Sequence, residues 1–157
     1  MKRGVWSVLG AATASLVLAA CDGGIPLNGG AAVNVTLSEW QIVTDRNTAP
    51  AGKIVVTANN KGADVHDLVL LETDLPADGL PVTPKGDVDV AASGVLVVSG
   101  IKDIAPGGSG ELTIDEAGPG KYVFVCTVAT SNGMTVGHPY AKGMFKAFTV
   151  AEVPGQE

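Results

Sequence analysis

An all-β fold, a Greek-key sandwich of about seven to eight strands, is predicted by three features of this 157-residue sequence. Short apolar runs alternate with clusters of Gly, Pro, Asn and Asp, the punctuation of strands and turns. No segment carries a sustained helical period, and no internal repeat is visible. Beyond the first thirty or so residues about 120 remain, enough for one domain with a real core.

The first strand lies in "VNVTLSEWQIV", where Val33, Val35 and Leu37 share one face and Asn34, Thr36 and Ser38 the other. Trp40 and Ile42 fall one residue out of phase, which calls for a bulge near Ser38 and Glu39. "GKIVVTANN" and "HDLVLLET" follow as strands, divided by the turn "NKGAD". Residues 74–94, "DLPADGLPVTPKGDVDVAASG", carry the prolines and glycines of a long irregular excursion over the surface. The strand pattern resumes in "VLVVSGI", "GELTID", "KYVFVCTV" and "MFKAFTV", with "APGGSG" and "AGPG" as turns before two of them. In "KYVFVC" both faces are apolar, Tyr122, Phe124 and Cys126 on one and Val123 and Val125 on the other. A strand apolar on both faces is expected at the centre of its sheet.

The N-terminus is of another kind. Lys2 and Arg3 precede an uncharged run over residues 4–20, diluted by Gly, Ser and Thr and short for a membrane span, which suits an export signal. It ends in "LAAC", which resembles the lipobox of bacterial lipoproteins and implies cleavage before Cys21 with lipid on that residue. The alternative is an ordinary secretory signal cut near Ala20, leaving Cys21 as a thiol. The expected division is thus a signal over 1–21, a Gly-rich tether over 22–32 and a domain over 33–153, outside the cytoplasm in either case.

Without Lys2 and Arg3 the chain has 8 basic against 16 acidic residues, a net charge of −8. That balance argues against a nucleic-acid partner and favours docking to a basic patch. If Cys21 is acylated, Cys126 cannot form a disulfide within the chain, and an unpaired Cys in an oxidising compartment calls for a role. Taken singly, Cys126 reads as a small buried hydrophobe, His66 as a strand residue and Met144 as core filler.

Together they read differently. The two histidines are His66, opening "HDLVLLET", and His138, which follows Cys126 and precedes Met144 before the last strand. In a sandwich these positions gather at one end, where loops carry function. A thiolate and two imidazoles with a weak thioether suit one copper ion cycling between Cu(I) and Cu(II). Zinc usually recruits a fourth strong ligand.

At "N-x-G-x-x-x-H" (Asn60, Gly62, His66), "PGKYVFVC" (119–126) and "GHPYAKGM" (137–144) the sequence resembles the cupredoxins, over most of residues 33–151. The resemblance implies His66, Cys126 and His138 as strong copper ligands and Met144 as the axial one. Asp67, next to the first ligand, is expected to tie the ligand loops by hydrogen bonds. The chain departs from the family in placing eleven residues, "TVATSNGMTVG", between Cys126 and His138, where two to four are usual. Lengthening a flexible loop from four residues to eleven costs roughly 0.9 kcal/mol, about a tenth or less of what binding a metal typically supplies. The insertion leaves Met134 as a competitor for the axial place. Met134, Val136, Pro139 and Tyr140 form either an apolar collar around His138 or ordinary loop packing. The acidic residues Asp64, Asp67, Asp74, Asp78, Asp87 and Asp89 are read as mostly solvated.

The implied function is an extracytoplasmic, lipid-tethered carrier of single electrons between redox proteins of the membrane or periplasm. The alternative is a periplasmic copper carrier or sensor using the same ligands. No enzyme is expected, because beyond His66 and His138 the chain has no histidine for a second copper centre.

Overall fold

The computed structural model describes residues 30–127, 129–131, 134–135 and 137–153. Cys21, its lipobox and most of the expected tether lie outside them, as does Val136. The described residues form eleven strands and one 3₁₀ turn. They are β1 (Ala31–Ser38), β2 (Gln41–Thr44), β3 (Thr48–Pro50), β4 (Gly52–Asn60), β5 (Val65–Glu72), β6 (Leu96–Ile104), β7 (Ser109–Ala117), β8 (Gly120–Val125), β9 (Ala129–Ser131), β10 (Met134–Thr135) and β11 (Phe145–Ala151). The 3₁₀ turn spans Tyr140–Lys142. Of the strands, β3, β9 and β10 are short pieces of three residues or fewer, so the sandwich has eight full strands. No helix among the described residues is long and apolar enough to cross a membrane.

Two mixed sheets face each other. The smaller has the order β2-β1-β4-β7, with β1 parallel to β4. The larger runs β10-β9-β5-β8-β11-β3, with β6 also paired to β5. Alternation along β1 and β4 sends Val33, Val35, Leu37, Ile54, Val56 and Ala58 inward, where they meet Leu68, Leu70, Phe124 and Phe148 of the larger sheet. Phe124 and Phe148 pack edge to face, with ring centroids 5.4 Å apart. That is a favoured arrangement of aromatic quadrupoles.

The phase change after Leu37 has a different cause from the bulge expected. β1 turns back at Glu39-Trp40 into β2, pairing Ser38 with Gln41 and Leu37 with Ile42. In a two-residue hairpin an odd position on one strand faces an even one on the other, so Leu37 and Ile42 share the buried face. Trp40 closes the turn at φ 62°, the left-handed region that non-glycine residues seldom occupy.

β8 is central, between β5 and β11. Its second face and that of β5 are covered by the 74–94 excursion. Val69, Leu71, Val123 and Val125 form a second core with Leu80, Val88 and Tyr140. The excursion is therefore a packed layer, which explains why β5 and β8 are apolar on both sides. Tyr140 fastens it: its hydroxyl accepts from the Leu80 amide at 2.8 Å and donates to the Ala77 carbonyl at 2.9 Å. Burial, above all, pushes this phenol above its ordinary pKa, so it stays a neutral donor.

Tyr140→Phe keeps the ring and strands a buried amide, which typically costs about 1–3 kcal/mol. The expected outcome is a lower denaturation midpoint together with faster proteolysis inside 74–94. An unchanged midpoint and cleavage pattern would show that the excursion is not held by this contact.

Candidate metal centre

The segment leading to His66 is organised by Asn60, whose side chain is fully buried at the end of β4. Its Nδ2 donates to the Asp64 carbonyl at 2.7 Å and the Ile104 carbonyl at 2.8 Å, and its Oδ1 accepts from the Gly62 amide at 2.9 Å. One side chain thus satisfies three backbone groups across the turn, as a buried amide must. Gly62 leaves room for the Glu39 carboxylate, which a Cβ there would displace. Glu39 Oε1 accepts from the amides of Ala63 at 2.7 Å and Asp64 at 2.9 Å, and lies 3.4 Å from His66 Nε2. The Asp64 amide foremost holds the Glu39 carboxyl below the usual range, against the opposing effect of burial. It is therefore ionised at neutral pH.

Strand register brings Cys126 to the same place. Val125 of β8 pairs with Val69, and Ala129 of β9 pairs with His66. Leu70 pairs with Phe124, so regular alternation puts Phe124 and Cys126 on the inner face together with Leu68, Leu70 and His66. Cys126 follows the last residue of β8, and its Sγ is 3.6 Å from His66 Nδ1. Both side chains are fully buried. The two ring nitrogens of His66 are thereby divided, one toward a carboxylate and one toward sulfur.

Asp67 stands apart from the other acidic residues. It is buried, and its Oδ1 accepts from the Asp103 amide at 2.9 Å while its Oδ2 accepts from the Thr127 hydroxyl at 3.2 Å. It ties the residue after His66 to the residue after Cys126, the bracing role expected of it rather than a solvated one.

Met144 reaches the same buried layer through a compact fold-back. Met144 N donates to the Pro139 carbonyl at 3.0 Å, and Gly143, at φ 102°, donates to the Tyr140 carbonyl at 2.9 Å. The Cys126 amide then donates to the Met144 carbonyl at 3.1 Å. Cys126 and Met144 both belong to the inner core, whereas Met134, on β10, is 69% exposed. The turn is also braced from β1–β2, where Lys142 Nζ sits 3.7 Å from the Trp40 ring centroid.

His138 lies elsewhere. Its side chain is 47% exposed, and its Nδ1 is 3.0 Å from Asp87 Oδ1 on the excursion. Its ring lies against Gly86, where a Cβ would approach ring Cγ to 3.3 Å. The structure thus unites His66 and Cys126, places Met144 in the same core, and holds His138 against Asp87. Among the described residues no cluster of three or more His, Cys, Asp or Glu side chains is arranged to hold a metal. Pro139 and Tyr140 are buried in loop packing rather than forming a collar, and Met134 is exposed.

Two features escaped the sequence reading. The eleven residues after Cys126 contain strands, β9 and β10, with Ser131 paired to Met134. The intervening Asn132-Gly133 is a strong short-range hairpin signal that could have disclosed them. Glu39 carried no signal, because its partners lie in the β4–β5 turn, 24 and 25 residues further along the chain.

Asn60→Ala would leave the Gly62 amide and the buried Ile104 carbonyl without their partner, at about 1–3 kcal/mol for each buried group. The expected result is a clearly lower unfolding free energy in urea, with His66 side-chain resonances broadened or displaced. Wild-type stability and resonances would contradict the organising role given to Asn60.

No family model matches the chain, and no curated protein does. Solved structures do. The dithionite-reduced auracyanin of the photosynthetic bacterium Roseiflexus castenholzii is 26% identical over 78% of this chain and 98% of that one, with a TM-score of 0.52. Reduced rusticyanin is 20% identical over 78% and 81%, with a TM-score of 0.49. Auracyanin A, a "blue" copper protein of the green thermophilic photosynthetic bacterium Chloroflexus aurantiacus, is 16% identical over 78% and 99%, also with a TM-score of 0.49. The fold, a β-sandwich of two mixed sheets, is cupredoxin-like.

Proposed function

We propose that this chain is a blue copper protein that carries single electrons, tethered outside the cytoplasm by lipid on Cys21. The observation that carries the reading is the buried approach of Cys126 Sγ to His66 Nδ1 at 3.6 Å, from residues sixty positions apart. A soft sulfur donor beside an imidazole, with a thioether in the same core, is a donor set that fits copper. His66, Cys126 and His138 would hold the ion, with Met144 as the axial ligand, and copper would supply the one-electron Cu(I)/Cu(II) couple. His66 is held by its turn, Cys126 by the register of β8 and its amide bond to Met144, and Met144 by the fold-back, so three of the four residues keep their places without the metal. His138, at the surface, must leave Asp87 to join them. The buried position of Met144 supports it over Met134.

A lipid tether would confine the carrier near membrane redox partners and raise its effective concentration there. The acidic surface suits partners with a basic docking patch. With only His66 and His138 in the chain, no second, catalytic copper centre can be built without ligands from elsewhere.

The engagement of His138 by Asp87 favours one second reading, a copper carrier or sensor whose third ligand closes on the ion. Slow electron self-exchange with readily reversible Cu(I) release would select it.

Copper addition to the domain without its signal is expected to give an intense visible absorption at one ion per chain. The band should vanish in Cys126→Ser, change in Met144→Leu and persist in Met134→Leu. A colourless protein without stoichiometric copper would overturn the proposal.

A further inference from the structure

We propose that Glu39 is a positioning residue for the metal centre: its carboxylate fixes the proton of His66 on Nε2 and places a fixed negative charge behind the first ligand. The inference rests on the copper reading above and adds to it a determinant of the reduction potential.

A neutral imidazole carries one ring proton, and the two neighbours of the His66 ring decide which nitrogen holds it. A carboxylate oxygen only accepts, so the 3.4 Å approach of Glu39 Oε1 to Nε2 is satisfied when Nε2 bears that proton. Nδ1 then keeps its lone pair, and this is the nitrogen that faces the Cys126 sulfur at 3.6 Å. The thiol proton has an acceptor there, and metal binding would release it. Had the tautomer been the other one, Nε2 and Oε1 would oppose each other lone pair to lone pair, while Nδ1 could not bind a metal.

Glu39 is itself fixed. The Ala63 and Asp64 amides point at the same oxygen, and the missing Cβ of Gly62 makes room for the carboxylate. Its backbone is set by the hairpin turn that Trp40 closes in a left-handed conformation. Strain of this kind is retained where surrounding structure enforces it. Carboxylate–histidine pairs of this type orient a ligand and raise its basicity. A negative charge beside the centre favours the more highly charged ion, Cu(II), over Cu(I).

Glu39→Gln separates the two roles. The two backbone donors require an oxygen at the Oε1 position, so the carboxamide keeps its oxygen toward His66 and loses only the charge. In the metal-free protein, nitrogen-15 spectra should show His66 as the Nε2–H tautomer in both wild type and Glu39→Gln. A shift toward the other tautomer, or a mixture, is expected in Glu39→Ala. In the copper-loaded protein, Glu39→Gln should keep the visible band and raise the potential by a tenfold or greater change in the Cu(I)-to-Cu(II) preference, 59 mV for one electron.

An Nδ1–H tautomer in the metal-free wild type overturns the positioning role. An unchanged potential in Glu39→Gln overturns the electrostatic one. If the chain takes up no copper, the copper reading fails, and the tautomer measurement alone then decides what Glu39 does to His66.

Discussion

The arrangement depends on the register of β8 against β5. Leu70 pairs with Phe124 and Val69 with Val125, so Cys126, two residues beyond Phe124, falls on the inner face that Leu68, Leu70 and His66 share. A slip of one residue would turn Cys126 to the opposite face, because side chains along a strand repeat every second residue. That register is held from both sides. Asp67 bonds to Thr127 just after the cysteine, and the Cys126 amide bonds to Met144 of the incoming strand.

Around the meeting of Cys126 and His66, each of the three buried side chains is located by backbone hydrogen bonds rather than by its own contacts. Asn60 closes the turn before His66, Glu39 caps the same turn from another hairpin, and Pro139 with Tyr140 bends the chain into Met144. The β1–β2 turn serves both sides of the site. Glu39 reaches the residues before His66 while Trp40 lies under Lys142, next to Met144 by way of Gly143. A site whose supports are satisfied in this way needs little rearrangement of those three residues when a ligand arrives, which is the structural meaning of preorganisation.

Much of this was legible in the sequence, and the remainder has identifiable causes. Period-two alternation located β1 and β4, and the double-sided apolar pattern of "KYVFVC" marked β8 as central. The order of His66, Cys126, His138 and Met144 beside strands suggested a common end; the structure brings His66 to Cys126 and puts Met144 in the same core, but holds His138 against Asp87. The phase change at Ser38 admitted two explanations, bulge or hairpin, and the hairpin was hidden because Glu39-Trp40 lacks the glycine or asparagine that usually announces a tight turn. The excursion looked like surface because its prolines and glycines outweighed Leu80 and Val88, whose burial depends on a sheet face formed by residues far along the chain. Asp87 belonged to a group of similar aspartates, and only the placed excursion sets it against His138.

The separation of His138 from the other three residues is a matter of competing energies rather than an obstacle. Its bond to Asp87 joins a half-exposed ring to a carboxylate about a third exposed. A hydrogen bond between groups open to water in this way contributes only about 0.5–1.5 kcal/mol net. A metal bound to protein side chains typically returns about 10 kcal/mol or more. In the copper site proposed above, three residues are located by buried contacts and the fourth is held by one partly exposed bond, so nearly all of the conformational cost of binding would fall on one imidazole. The strands β9 and β10 lower that cost further, since part of the eleven-residue connection is already ordered by pairing to β5 and to each other.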